Sequence, residues 1–454
     1  MITIHPSEAP TLLEPLGQEF AIIENPAYVF PPYDVVPLAP KILTPRERLV
    51  AVVQDMDGTT TTTENLCLHS LETMVRRVTN RPRREEWTGL DRQRDYPHII
   101  GNSTTKHVEY LLKTYGDAID LEAFREAYLQ AALWTVANRP DERRTEEVLT
   151  NLRHFGCADL LEVEPVRSWL ARASDCGALA GVPEEARPSI QRVAQRIPLA
   201  DFTDRVRAAI DIYYQRYHEI LIHVRLGKAE QFRNLLPDPS RRLIEPMPGV
   251  AVFLAAVKGW LGAELALFYE LLCGHCPDPG DAGPQRQTLA ALGHHLEEHP
   301  LKVAVVTSSI AYEANIVLCE VFRVICEEVE SWPVSADRRR WLQEQFADYH
   351  RVFDVVVTAS DSSEIRLKPH RDLYSLALHQ LGVAKSDFNK VIGFEDSESG
   401  VIAIRAAGVG LCVAVPFSDT RGHNLEQAAY VLHGGLPEAL LRHALFLDPR
   451  LLQG

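Results

Sequence analysis

Asp55 and Asp57 flank Met56 at the end of a short apolar run, residues 49–53, and are followed by Gly58 and five consecutive threonines, Thr59 to Thr63. A second apolar run, 303–306, ends at Thr307-Ser308-Ser309, and another, 390–394, ends at Glu395-Asp396. Lys368 stands in Leu367-Lys368-Pro369, just ahead of a helix-like pattern. Ligands of open parallel sheets bind outside the carboxyl ends of the strands, so these groups are expected at one edge of one sheet. Four carboxylates gathered there repel one another unless a cation sits among them. An all-oxygen ligand set suits Mg2+, which keeps several waters and accepts phosphate oxygens. Lys368 supplies the positive charge that lets an anionic carboxylate approach an anionic phosphate.

The elements that must position these groups are legible as periodicity. Apolar runs at 49–53, 303–306, 352–357, 390–394 and 410–415 read as buried strands, with helical patterns such as 373–381 and 400–407 between them. That alternation predicts an α/β fold with a mostly parallel sheet covered by helices on both faces. Only the first strand precedes a long block in which 66–78, 107–115, 121–136, 145–154 and 202–222 carry helical spacing. The expected organisation is therefore a proline-rich arm at 1–47, lying on the surface or on a partner, a core formed by 48–63 and 246–454, and a helical cap at 64–245 inserted after the first strand. The threonine run is expected to be a polar, flexible hinge at the cap. Two further core segments, 260–300 and 323–350, are longer than the chemistry needs and suit an oligomer contact or a wall of the site.

Bulk properties narrow the class. The chain has 454 residues, 46% of them hydrophobic and 24% charged, as in ordinary soluble domains. Its formal net charge of −15 argues against a general nucleic-acid binder, which needs a positive footprint. No stretch is long and apolar enough to span a bilayer, and the first residues lack a secretory pattern. Eight scattered cysteines fit reduced thiols, and with these features a cytoplasmic protein is expected.

In order along the chain, Asp55-Met56-Asp57-Gly58-Thr59, Thr307, Lys368-Pro369, and Gly393-Phe394-Glu395-Asp396-Ser397 with Gly400 resemble the four motifs of the haloacid dehalogenase superfamily. Met247-Pro248-Gly249-Val250 resembles that family's return to the core after its cap. The likeness covers roughly 48–70 and 245–435 and is nearest to the branch of β-phosphoglucomutase and phosphoglycolate phosphatase. The resemblance implies a Rossmann-like core and a Mg2+-dependent hydrolase acting on a small phosphorylated metabolite. It implies Asp55 as nucleophile and Asp57 as general acid and base. Gly58, Thr59, Thr307, Ser308 and Lys368 are implied at the phosphoryl group. Asp55, the carbonyl of Asp57, Glu395 and Asp396 are implied at the metal. An acid at position 57 favours phosphate esters over carbon–halogen or carbon–phosphorus bonds, because an alcohol must be protonated as it leaves.

Several departures and alternatives stand beside this reading. The cap is longer than in close relatives, and the cationic residue of their substrate loop does not align. Lys106 or His107 in Gly101-Asn102-Ser103-Thr104-Thr105-Lys106-His107 substitutes for it, or the segment is simply a helix start capped by Ser103 or Thr104. Cys273-Gly274-His275-Cys276, with His294 or His295, could ligate zinc, or be two packed thiols. Arg81, Arg83, Arg84 and Arg92 could attract phosphate, or be a solvated face. A phosphomutase passing the phosphoryl group to a second hydroxyl, and a non-catalytic scaffold on the same fold, are the competing functions.

Overall fold

The computed structural model describes residues 5–25, 29–45, 47–81, 83, 85–101, 103–175, 181–235, 241–361, 366–417, 420 and 422–447. Its chain forms two compact units, Met1–Thr63 with Ile244–Gly454, and Glu64–Leu243.

The first unit is built on a six-stranded sheet. With β1 (Glu19–Glu24) and β2 (Tyr33–Leu38) forming a separate antiparallel hairpin, the sheet comprises β3 (Ala51–Asp55), β4 (Lys302–Val306), β5 (Val355–Val357), β6 (Val391–Glu395), β7 (Leu411–Ala414) and β8 (Tyr430–Val431). The order across it is β5-β4-β3-β6-β7-β8, with every pairing parallel. β3 is thus central, and the chain leaves it first to one side and then to the other. Its register sets Asp55 beside Val306, the residue before Thr307, and Gln54 beside Phe394, the residue before Glu395.

Every residue of β3 and β6 is buried, as expected of parallel strands covered on both faces. On one face Ala51, Val53, Ala304 and Val391 pack with Leu373, Tyr374 and Ala377 of the helix Asp372–Gln380 and with Val401 and Ile404 of the helix Glu398–Ala406. On the other face Phe394 meets Phe253 of the helix Val250–Val257 edge to face, with ring centroids 5.1 Å apart.

Expected and observed strands agree to within a few residues, with two physical differences. The first strand runs on to include Asp55 itself, because its ladder with β4 extends that far. The third strand is shorter than the apolar run 352–357, since Tyr349–Arg351 forms a turn of 3-10 helix and only Val355–Val357 pairs. The proline-rich segment also holds more structure than its spacing implies. Ala21 and Leu38 of the hairpin pack on Ala406, and Arg405, fully buried, reaches across to the segment. Its guanidinium donates to the carbonyls of Ala39 and Gln427 and to Gln427 Oε1, and pairs with Glu19. The two long core segments bury their aromatics against one another: Phe268 meets Trp332 at 4.9 Å and Trp260 meets Phe346 at 5.4 Å.

The second unit is helical among the described residues, with Glu64–Val78, Thr104–Thr114, Leu121–Asn138, Glu142–His154, Val166–Asp175, Arg187–Ala194 and Phe202–Arg225 as its main helices. Asp120, Asp141 and Asp201 cap three of them by accepting hydrogen bonds from backbone N–H groups of the first turn. Among the described residues no helix is long and apolar enough to cross a membrane.

Arg405→Met removes charged hydrogen bonds that tie residues 19 and 39 to the helix Glu398–Ala406. It is expected to cost about 1.5–3 kcal/mol, read as a lower urea midpoint with an unchanged slope.

Candidate active site

The carboxyl ends of β3, β4 and β6 bring Asp55, Asp57, Thr307, Glu395 and Asp396 together, and Lys368 joins them from the loop before the helix Asp372–Gln380. Lys368 Nζ donates to Asp55 Oδ1 and, at 2.5 Å, to Glu395 Oε1. All three side chains are at most 7% exposed, so this ion triad is shielded from solvent. Asp55, Glu395 and Asp396 each offer a carboxylate oxygen, and these oxygens lie within 4.8 Å of one another. Among the described residues this is the only such group of acids, histidines or cysteines.

Glu395 is the most committed of the three acids. Oε1 also accepts from the Tyr374 hydroxyl at 2.9 Å, while Oε2 accepts from the backbone N–H of Asp396 and Ser397 and from Ser397 Oγ. With five donors around it, Glu395 orients its neighbours rather than offering a free edge, whereas Asp55 and Asp396 keep a small exposed fraction. Two glycines make this packing possible. A Cβ at Gly400 would stand 1.8 Å from the Glu395 carboxyl, and one at Gly58, whose φ of +86° is itself unfavourable for other residues, would stand 2.5 Å from Asp396 Oδ2.

Asp57 lies in a different environment. Its carboxylate accepts from the hydroxyls of Thr63, of Thr307 at 3.0 Å and of Ser309 at 3.4 Å. Three hydroxyls and no cation surround it in these contacts, while Asp55 faces Lys368 and two acids. Environments of this kind give two carboxylates different roles. Burial pushes the Asp55 carboxyl well above the usual range; Lys368 pulls it down, and Glu395 and Asp57 press it further up. For Lys368, burial disfavours the charge but the attraction of Asp55 and Glu395 prevails, holding its ammonium above the ordinary lysine value. Burial, reinforced by Glu395 and Asp55, drives the Tyr374 hydroxyl well up, so it remains a donor.

The threonine run, which ends where the helical unit begins, is mostly buried and hydrogen-bonded rather than a solvated linker. Thr59, Thr60, Thr61 and Thr63 are buried. Thr60 Oγ1 donates to the Asp55 carbonyl at 2.5 Å, Thr61 pairs with Thr63, and Thr61 bridges Pro246. Thr62 exchanges hydrogen bonds with Glu245, so the outgoing and returning passages of the chain are stitched together. Gly58 and Thr59 line a cavity of about 180 Å³ with Met247, His275, Phe417 and His433. Ser308 follows Thr307 and is half-buried.

The remaining expectations divide. Lys106 and His107 lie on the helix Thr104–Thr114 of the second unit, Lys106 exposed and His107 buried. Ser103 occupies the cap position of that helix without a side-chain capping bond, and Asn102 lies outside the described residues. Cys273, Cys276, His294 and His295 do not gather into a metal-ligand group, against the zinc reading. Instead the Cys276 thiol donates to the Leu272 carbonyl, and burial pushes it up to about 12. Arg81, Arg83 and Arg92 are exposed, as a solvated face would be, and Arg84 lies outside the described residues. Tyr374, Ser309, Ser397 and Thr63 were given no role from sequence. Ser309, Ser397 and Thr63 stand in the runs 307–309, 395–397 and 59–63 that carried a local signal, and Tyr374 carried none.

The central strand carries Asp55, its neighbours end beside Thr307 and at Glu395, and Lys368 bridges Asp55 and Glu395. The core is an α/β fold on a six-stranded parallel sheet, as the sequence predicts. Among solved structures the chain is similar to CbbY of Rhodobacter sphaeroides, crystallised with phosphate, at 14% identity over 87% of this chain and 99% of that one, with a TM-score of 0.35. A putative β-phosphoglucomutase of Thermotoga maritima matches at 16% identity over 87% and 97%, with a TM-score of 0.31. A haloacid dehalogenase-family hydrolase of Deinococcus radiodurans, with bound phosphate and sodium, matches at 15% identity over 88% and 99%, with a TM-score of 0.36. No family model and no curated protein matches the sequence.

Because folding raises the Asp55 pKa, the folded state binds the extra proton, and its stability falls as pH rises from about 4, the unfolded carboxylate value, towards the raised one. In EDTA, thermal unfolding across that window is expected to show this decline, and Asp55→Asn to flatten it. A decline unchanged in the variant would assign it to other groups.

Proposed function

We propose that this protein is a Mg2+-dependent phosphatase that hydrolyses a small phosphate monoester of the cytoplasm through an aspartyl-phosphate. The observation that carries this reading is the division of labour between Asp55 and Asp57: two carboxylates at the end of one strand, one ion-paired with Lys368 inside an acidic cluster, the other held by hydroxyls.

In this reading Asp55 attacks phosphorus, forming an Asp55–phosphorus bond as the ester P–O bond breaks. Asp57, protonated, gives its proton to the leaving alkoxide. As a carboxylate it then takes a proton from water, which attacks the same phosphorus, releasing phosphate and restoring Asp55. Thr63, Thr307 and Ser309 hold the Asp57 carboxyl in place through the contacts described above. Thr307 and the N–H of Ser308 face the phosphoryl oxygens. Lys368 neutralises Asp55 and the incoming phosphate, lowering the barrier between two anions.

The residues present fit a hard divalent cation: every donor is oxygen, and three carboxylate oxygens lie within 4.8 Å of one another. Asp55, Asp396 and the Asp57 carbonyl would hold the ion, with Glu395 behind them. Bound there, Mg2+ supplies the positive charge that offsets the acids and the transferring phosphoryl group.

Phosphate release from a panel of phosphate esters is the test. The wild type is expected to turn over at least one ester, with EDTA abolishing release. Asp55→Asn is expected to fall to background and Asp57→Asn by roughly 10²–10⁴-fold. Release that persists in Asp55→Asn would sink the covalent mechanism. Transfer to a second hydroxyl of the substrate without free phosphate would identify a mutase.

A further inference from the structure

The helical unit contains a cavity of about 380 Å³ that the proposed chemistry does not use, lined by Arg77, Gln130, Trp134, Arg187, Ile190 and Gln215 among others. Its size falls at the lower end of small-molecule sites. Arg77 stands in the last turn of the helix Glu64–Val78, about 20 Å along the axis from Glu64 at 1.5 Å per residue. Gln130 and Trp134 come from the helix Leu121–Asn138, Gln215 from Phe202–Arg225, and Arg187 and Ile190 from Arg187–Ala194. Four helices therefore supply most of the lining, and Val182, Pro183 and Glu184 complete it.

The electrostatics of this cavity are unusual for a chain of net charge −15. Among the described residues the Arg77 guanidinium donates to neutral oxygens, Gln215 Oε1 at 2.8 Å and Gln130 Oε1 at 3.1 Å. An arginine has five N–H donors, so two of the five are met by these bonds. Glu219, whose charge supports that of Arg77, accepts at Oε2 from Arg216 at 2.9 Å and from Gln215 at 3.3 Å. Arg187 reaches Glu184 only at 3.9 Å, with both side chains largely exposed. Two guanidiniums, Arg77 and Arg187, thus line the cavity with one carboxylate, Glu184. Burial draws the Arg77 guanidinium down to about 10; Glu219 supports its charge and Arg216 opposes it. A half-buried cation bonded to two amide oxygens is oriented by them, and a charge-assisted bond to an anion would stabilise it further. Trp134 and Ile190, nearly fully buried, supply an apolar wall beside it.

We infer that this cavity is a binding site for a small organic anion, whose acid group pairs with Arg77 and Arg187 while its carbon body lies against Trp134. Carboxylic acids and phosphate esters share that chemistry. The described lining lies in the helical unit alone, and the inference holds whether or not the core hydrolyses phosphate esters.

Titration calorimetry on the full chain, at low ionic strength and with EDTA present, tests it using malonate and inorganic phosphate as probes. Lys368→Met disables the anion-attracting lysine of the core and is expected to leave cavity binding intact. Combining it with Arg77→Gln is expected to weaken that binding roughly tenfold or more, the loss of a bidentate charge-assisted contact. Arg187→Gln, exposed enough to spare folding, is expected to weaken it severalfold and serves if the Arg77 variant unfolds. A preference for malonate or for phosphate separates the two ligand sources, and either supports the site. Absence of binding of both probes at millimolar concentration, or affinity unchanged by Arg77→Gln or by Arg187→Gln in a folded protein, overturns the inference.

Discussion

The buried contact between Lys368 and the two carboxylates Asp55 and Glu395 governs the arrangement of the core. Charges removed from water are costly unless they are paired and hydrogen-bonded. One ammonium stands among three acids, and the Asp55 pKa is raised chiefly by burial, with Glu395 and Asp57 adding to it. The surrounding structure reduces the cost at Glu395 by giving it five donors, two of them backbone N–H groups at the start of the helix Glu398–Ala406. The imbalance is left where it can attract chemistry, at Asp55 and Asp396.

The sheet makes this concentration of charge possible. Because β3 lies between β4 and β6, the chain departs in opposite directions from its two sides, and the crevice at the carboxyl ends is left uncovered by a connection. Strand register then sets height: Asp55 and Val306 are level, so Thr307 projects one residue beyond Asp55, near Asp57. Small residues complete the fit, since Gly58 and Gly400 let carboxyl groups approach backbone to distances no side chain at those positions would permit.

Much of this could be read from residue types. Parallel strands buried on both faces are short continuous apolar runs, and all five long enough to show one were placed within a few residues. Acids, hydroxyls and lysine at their ends carried the site. The signal failed where a group acts from inside a helix or loop whose pattern already had another explanation. Tyr374 occupies an apolar position of a helix facing the sheet, so its hydroxyl on Glu395 is invisible to periodicity. The β1–β2 hairpin was masked by prolines that a short strand tolerates where it does not need the N–H, and Pro37 sits in β2. β8, at two residues, is below any pattern.

The threonines show how composition can mislead in the other direction. A run of small polar side chains reads as solvated linker, but a hydroxyl can both donate and accept, and so can replace a lost water inside a fold. Here each buried hydroxyl that finds a partner ties the nucleophile loop to itself or to the returning chain: Thr60 to the Asp55 carbonyl, Thr61 to Thr63, and Thr63 to the Asp57 carboxylate. Thr63 is also the last residue before the helical unit. A leucine or valine at these positions would fill the same space and leave Asp57 with fewer donors, its orientation set by Thr307 and Ser309 alone.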